Sequence, residues 1–153
     1  MCSGLEDRIM IELESLEVLL LGEYKGENPR ALSALALAYI GDAIFEILVR
    51  TVVLSEGNAP VNKLHKKARA IVNAKAQAEM YFRIVEYFTE EEAAVFKRGR
   101  NAKSFTVPKN ADLMDYRHAT GLEAVFGFLY LDGKLNRAIE LFKLGMEMKQ
   151  TRE

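Results

Sequence analysis

Two carboxylates stand where carboxylates are costly. Asp42 lies in Ala38-Tyr39-Ile40-Gly41-Asp42-Ala43-Ile44-Phe45-Glu46 and Glu123 in Thr120-Gly121-Leu122-Glu123-Ala124-Val125-Phe126-Gly127, both strongly apolar runs. An unpaired charge buried in such surroundings costs several kcal/mol, so each acid needs a partner: a basic side chain, a helix end or a metal ion. Magnesium takes oxygen ligands, keeps several waters and is often completed by substrate phosphate, so two carboxylates converging from separate helices make a site for it. Read singly, satisfaction by a lysine or a helix end is the simpler account, because no spacing rule forces the two segments together. Gly41 adds a detail. It costs a helix about 1 kcal/mol relative to alanine, which implies that something approaches the backbone closely just before Asp42.

The basic residues are distributed unevenly. No carboxylate occurs between Glu56 and Glu79, where Lys63, His65, Lys66, Lys67, Arg69 and Lys75 fall. A second acid-free window, after Glu92 and before Asp112, holds Lys97, Arg98, Arg100, Asn101, Lys103 and Lys109. Such stretches suit phosphate contacts, which are independent of base sequence and sensitive to salt; a merely solvated surface is the competing account. His65 and His118 lack metal-ligand spacing, so a structural or phosphate-contact role fits them better than zinc. There is no nucleophile-elbow serine and no glycine-rich nucleotide loop following a strand.

These side chains must be positioned by helices. Apolar spacings of three and four recur along the chain while strand-like alternation is absent over any useful length, so the fold expected is all-α, with about seven helices. A first amphipathic segment runs from Leu5 to Leu21, followed by a polar hinge from Glu23 to Pro29. The second helix is predicted from about Arg30 to Ser55, ended by Gly57, and as the most apolar it should be central. A third runs from an Asn58 cap, with Pro60 in its first turn, to about Val72; Asn73 opens a fourth that reaches Phe88. Thr89-Glu90-Glu91-Glu92 reads as a capping box for a short fifth helix to Lys97 or Arg98, with an exposed basic loop from Gly99 to about Ala111. Asp112 caps a sixth helix to Leu131, stopped by Gly133, and Leu135 to Met148 makes the seventh.

The chain's 153 residues, 50% hydrophobic, bury one sizeable core, so residues 30–150 are read as one domain with residues 1–28 as an appended arm. That arm is acidic, with seven carboxylates against Arg8 and Lys25. The formal net charge of -1 would not by itself suggest a nucleic-acid binder; the layout does. The one cysteine, Cys2, cannot form an internal disulfide, and a cytoplasmic location fits. Val18–Leu21 is too short to span a bilayer, and Asp42, Glu46 and Arg50 interrupt the apolar stretch Ala31–Leu54, so no membrane association is expected.

Taken together, Leu35 through Glu46, Leu64-His65-Lys66-Lys67, Lys97 through Ser104 with Pro108-Lys109-Asn110, and Leu122 through Gly127 resemble the ribonuclease III catalytic domain. The likeness is to the bacterial form without a separate double-stranded-RNA-binding domain, and it extends from Ala31 to about Phe142. It implies a dimeric all-helical endoribonuclease that cuts double-stranded RNA with Mg2+, for which Mn2+ could substitute, leaving 5′-phosphate and 3′-hydroxyl ends. Asp42 and Glu123 take the positions of the catalytic, metal-binding carboxylates. His65, Lys66, Lys67, Arg98, Arg100, Asn101, Lys103 and Lys109 become candidate RNA contacts, and Tyr39 and Ile40 candidates for the homodimer seam. The larger relatives carry further acids where this chain has Ala38 and Thr120, which implies fewer or more weakly held ions and more reliance on RNA phosphates. The resemblance also implies a role in maturing large-subunit (23S) ribosomal RNA precursor, with a ribosomal protein as a possible partner. The alternative is a catalytically inactive relative that binds RNA or acts in ribosome assembly.

Overall fold

The computed structural model describes Gly4 and residues 21–22, 24–103, 107–110 and 112–152. The helix expected from Leu5 lies outside them, except for Leu21 at its end. Among the described residues there are six α-helices and no strands: α1 (Ala34–Ser55), α2 (Val61–Val72), α3 (Ala74–Ile84), α4 (Glu90–Asn101), α5 (Leu113–Leu131) and α6 (Leu135–Arg152). The all-α expectation holds.

Local chemistry sets most boundaries. The Asn73 side chain accepts a hydrogen bond from the Ala76 amide at 2.9 Å, that of Asp112 accepts from Met114 and Asp115, and Thr89 and Glu92 form the reciprocal capping box. Past α5, Gly133 takes φ +74° and the Lys134 amide returns to the Leu129 carbonyl at 2.7 Å, closing the end as expected of a left-handed glycine.

Five boundaries differ from the sequence reading, one of them the end of α6, which runs on from Met148 to Arg152. The second expected helix starts at Ala34 rather than Arg30, because Asn28 caps a separate 3-10 turn, Pro29–Ala31, and Ser33 then caps α1 itself. Asn58 caps nothing: Pro60 occupies the cap position of α2, and its carbonyl receives the Lys63 and Leu64 amides. The α3 helix stops at Ile84 and yields to a second 3-10 turn, Val85–Tyr87. At the end of α4 the helix continues through Gly99, where the sequence predicts the start of an exposed loop, to Asn101. A Cβ at Gly99 would lie 2.8 Å from the Gly121 Cα, so this glycine serves close packing inside a helix.

The α1 and α5 helices form the centre. Phe45 of α1 sits edge-on to Phe126 of α5 and Phe142 of α6, with ring centroids 5.5 and 5.6 Å away, a favoured aromatic geometry. Their closest approach is backbone on backbone. A Cβ at Gly41 would fall 1.7 Å from the Glu123 carbonyl oxygen, and one at Gly127 would fall 1.9 Å from that of Leu37. At the rim, buried Glu92 accepts from the Arg137 guanidinium at 3.0 Å, fixing the start of α4 to α6.

Gly41→Ala is expected to lower stability by about 2 kcal/mol or more, since overpacking outweighs the helix propensity gained. Gly133→Ala, strained only by its positive φ, should cost about 1 kcal/mol. Chemical denaturation of both variants checks the order; Gly41→Ala at least as stable as the parent would refute the close crossing.

Candidate metal centre

The glycine crossing fixes the two acids. Because the Gly41 Cα faces the Glu123 carbonyl, Asp42 on α1 and Glu123 on α5 begin from adjoining points of the two helices, near enough for the charge of Asp42 to raise the Glu123 carboxyl. Asp42 is exposed at the surface, and Glu123 lies mostly buried behind it. The site is thus a carboxylate pair with one oxygen source open to solvent and one set into the protein.

Glu123 is oriented by Gln77 of α3, whose amide Nε2 donates to Oε1 at 3.2 Å. Gln77 is itself only 2% exposed, so its amide is held by packing. Its position follows from Asn73, whose carbonyl receives the Gln77 backbone amide at 3.0 Å and whose side-chain amide donates back to the Arg69 and Ala70 carbonyls of α2. The sequence reading missed Gln77. The only signal was a long amide one turn past an Asn cap, among alanines.

The pair is electrostatically uncomfortable. Burial, then the charge of Asp42, pushes the Glu123 carboxyl up to about 7, against the small opposing effect of the Gln77 hydrogen bond. Burial, then the charge of Glu46, raises Asp42 as well. Among the described residues no lysine, arginine or histidine comes within ion-pair distance of either acid. Two converging oxygen donors without a cation fit a hard divalent ion. Among the described residues no group of three or more His, Cys, Asp or Glu assembles. At the two remaining positions, Ala38 is buried, and the Thr120 hydroxyl turns back to the Tyr116 carbonyl at 3.0 Å.

The candidate RNA contacts divide. His65, Lys66 and Lys67 are exposed on α2, where Lys67 lies 3.7 Å from Glu56. Arg98, Arg100 and Asn101 belong to the last turns of α4 rather than to a loop, and Gly99 beside them meets Thr120 and Gly121, one turn from Glu123. Arg98 donates to the Leu32 carbonyl at 2.7 Å, and Arg100 to Asn101 at 3.2 Å. Lys103 and Lys109 are exposed. On α1, Tyr39 is 83% exposed, whereas Ile40 is half-buried beside Gly127. Glu46 pairs with Arg50 at 2.9 Å.

The model of the ribonuclease III domain matches residues 35–134. A Mini-ribonuclease 3 of Thermoanaerobacter sp. is 42% identical over 94% of this chain and 98% of its own length. That of Clostridium tetani is 48% identical over 80% of this chain and 82% of its own. A crystal structure of a Fusobacterium nucleatum protein, 34% identical, superposes with a TM-score of 0.72 over 80% of this chain and 99% of that one. Similar in pattern, in length and in backbone, with both acids at one crossing, the chain belongs to the ribonuclease III family.

Proposed function

We propose that this ribonuclease III family member is a Mg2+-dependent endoribonuclease that cuts double-stranded RNA, with Asp42 and Glu123 as its metal-binding carboxylates. The observation that carries the reading is the pair itself: two acids of an apolar crossing, both raised by burial, Glu123 further by the charge of Asp42, and without a basic partner among the described residues. A resident divalent ion would stabilise charge on the attacked phosphate and favour ionisation of the attacking water. The chain's own residues prepare that event. Glu123 must release its proton before it can ligate, Gln77 holds the carboxylate in one rotamer, and Asp42 presents the solvent-facing ligand. In-line hydrolysis that breaks the P–O3′ bond leaves a 5′-phosphate and a 3′-hydroxyl.

A homodimer suits this chemistry, because a two-fold axis places one such site at each strand of a duplex whose backbones share that symmetry. Exposed apolar side chains on α1, Leu35, Tyr39 and Ile47, support a seam on that helix. Duplex contact falls to the basic residues of α2 and the end of α4, acting through phosphates and 2′-hydroxyls. The natural substrate we propose is large-subunit ribosomal RNA precursor in the cytoplasm. Among the described residues no helix is long and apolar enough to cross a membrane. Ala38 and Thr120 favour an inactive binder as the second reading; the retained carboxylate pair weighs against it, since a silent copy gains nothing from two mutually repelling acids.

Asp42→Asn should abolish Mg2+-dependent cutting of an RNA duplex while leaving duplex binding, and Gln77→Ala should lower activity about 10- to 100-fold through disordered ligation. Gel analysis of a labelled duplex with and without Mg2+ checks both; full activity of Asp42→Asn would end the proposal. The raised Glu123 carboxyl also fixes a sign. Metal-free folded protein keeps a proton between the ordinary value of 4.5 and about 7 that the unfolded chain releases, so stability falls as pH rises through that window. Glu123→Gln should remove that slope, stabilising metal-free protein at pH 8 by on the order of 3 kcal/mol and at pH 4 hardly at all. Denaturation at the two pH values checks it, with equal effects at both as the contrary result.

A further inference from the structure

A trough runs between α1 and α2 on the far side of Glu46 from Asp42. One part of it has a volume of about 390 Å³, with Glu46 and Arg50 of α1 and His65 and Arg69 of α2 set around the apolar Ala68 and Val72. The adjoining part is lined by Val53, Leu54, Val61 and Leu64 together with the shared Arg50 and His65. The first part therefore brings two guanidinium groups and an imidazole to one carboxylate at the rim of an apolar floor. Arg50, its side chain 60% exposed, donates its Nε to Glu46 at 2.9 Å. Arg69 is exposed and has no ion-pair or side-chain hydrogen-bond partner among the described residues.

We infer that this trough is a phosphate subsite for the RNA strand being cut, in which Arg50 and Arg69, with His65, are positioning residues and Glu46 is the counter-ion that holds Arg50 until phosphate replaces it. The inference rests on the functional reading above. Asp42, Glu46 and Arg50 succeed one another at four-residue steps along one face of α1, so Glu46 stands about 6 Å along the axis from Asp42 and Arg50 about 12 Å. An arginine side chain on a helix leans toward the N-terminus, and the bond to Glu46 brings the Arg50 guanidinium back toward Asp42. A strand whose scissile phosphate is held at Asp42 and which runs along this face of α1 comes within reach of Arg50 and, across the trough, of Arg69. Guanidinium groups match phosphate through paired N–H donors, and one occupied by an exposed carboxylate exchanges it at little cost. Charge complementarity selects a polyanion as occupant, and a contact of this kind sets register without reading sequence.

The test compares the parent with Arg50→Gln, Arg69→Gln, Arg69→Lys and Glu46→Gln on a labelled RNA duplex in Mg2+, following cleavage kinetics and filter binding across a salt series. Each Arg→Gln change should raise KM about tenfold with kcat within about twofold, and flatten the logarithmic salt slope of binding by about one unit. Arg69→Lys should recover most of the slope, and Glu46→Gln should lower KM about threefold by freeing Arg50. Unchanged KM and salt slope in both Arg→Gln variants, with the parent active, overturn the inference. So does a loss of dimer in sedimentation with RNA affinity unchanged, which would give the trough to a second copy of the chain. Unaltered KM in Glu46→Gln overturns the counter-ion role. A parent that cuts no duplex in any divalent ion defeats the functional reading instead, and the metal-free binding series then decides the subsite by itself.

Discussion

Everything at the site depends on two helices touching through their backbones. Side chains normally keep helix axes 8–10 Å apart, and the glycines at 41 and 127 remove that spacer where α1 crosses α5. The crossing does more than tighten a core. It decides which residues of two distant segments become neighbours, and it does so rigidly, since a carbonyl against a Cα leaves no rotamer to adjust. Asp42 follows one glycine by a single residue, and Glu123 precedes the other by one helical turn. Their meeting is a matter of register rather than of flexible reach.

That rigidity explains why the protein tolerates an unfavourable charge pair. Two acids in a partly dry crossing repel, and the fold answers with one amide from Gln77 and no basic side chain among the described residues. A neutralising lysine would relieve the repulsion but also occupy the place a divalent ion needs. The discomfort is therefore consistent with a site built to be completed from outside. The rim of the fold, by contrast, is tied by satisfied pairs such as Arg137 with Glu92 and Arg30 with Glu91 and Asp132.

Much of this was legible in the sequence because it was local. The capping box at Thr89, the caps at Asn73 and Asp112 and the stops at Gly57 and Gly133 follow from side-chain chemistry within a few residues. Gly41 announced a close approach through its cost in a helix, though not what approached. What the sequence hid was tertiary in origin. Gly99 has the propensity of a breaker and is retained inside α4 only because Gly121 presses on it. Gln77 carries no motif, and its importance arises from its contact with Glu123, 46 residues away. Arg50 and Arg69 each looked like solvated charges until α1 and α2 placed them on one cavity.

Asn73 closes the frame in an unforeseen way. One side chain fastens the last carbonyls of the basic helix and, in the same grip, starts the helix whose amide steadies Glu123. The end of α2 and the start of α3 are thereby set by one residue, so the placement of the exposed basic side chains of α2 and that of the Gln77 amide against Glu123 share a common origin.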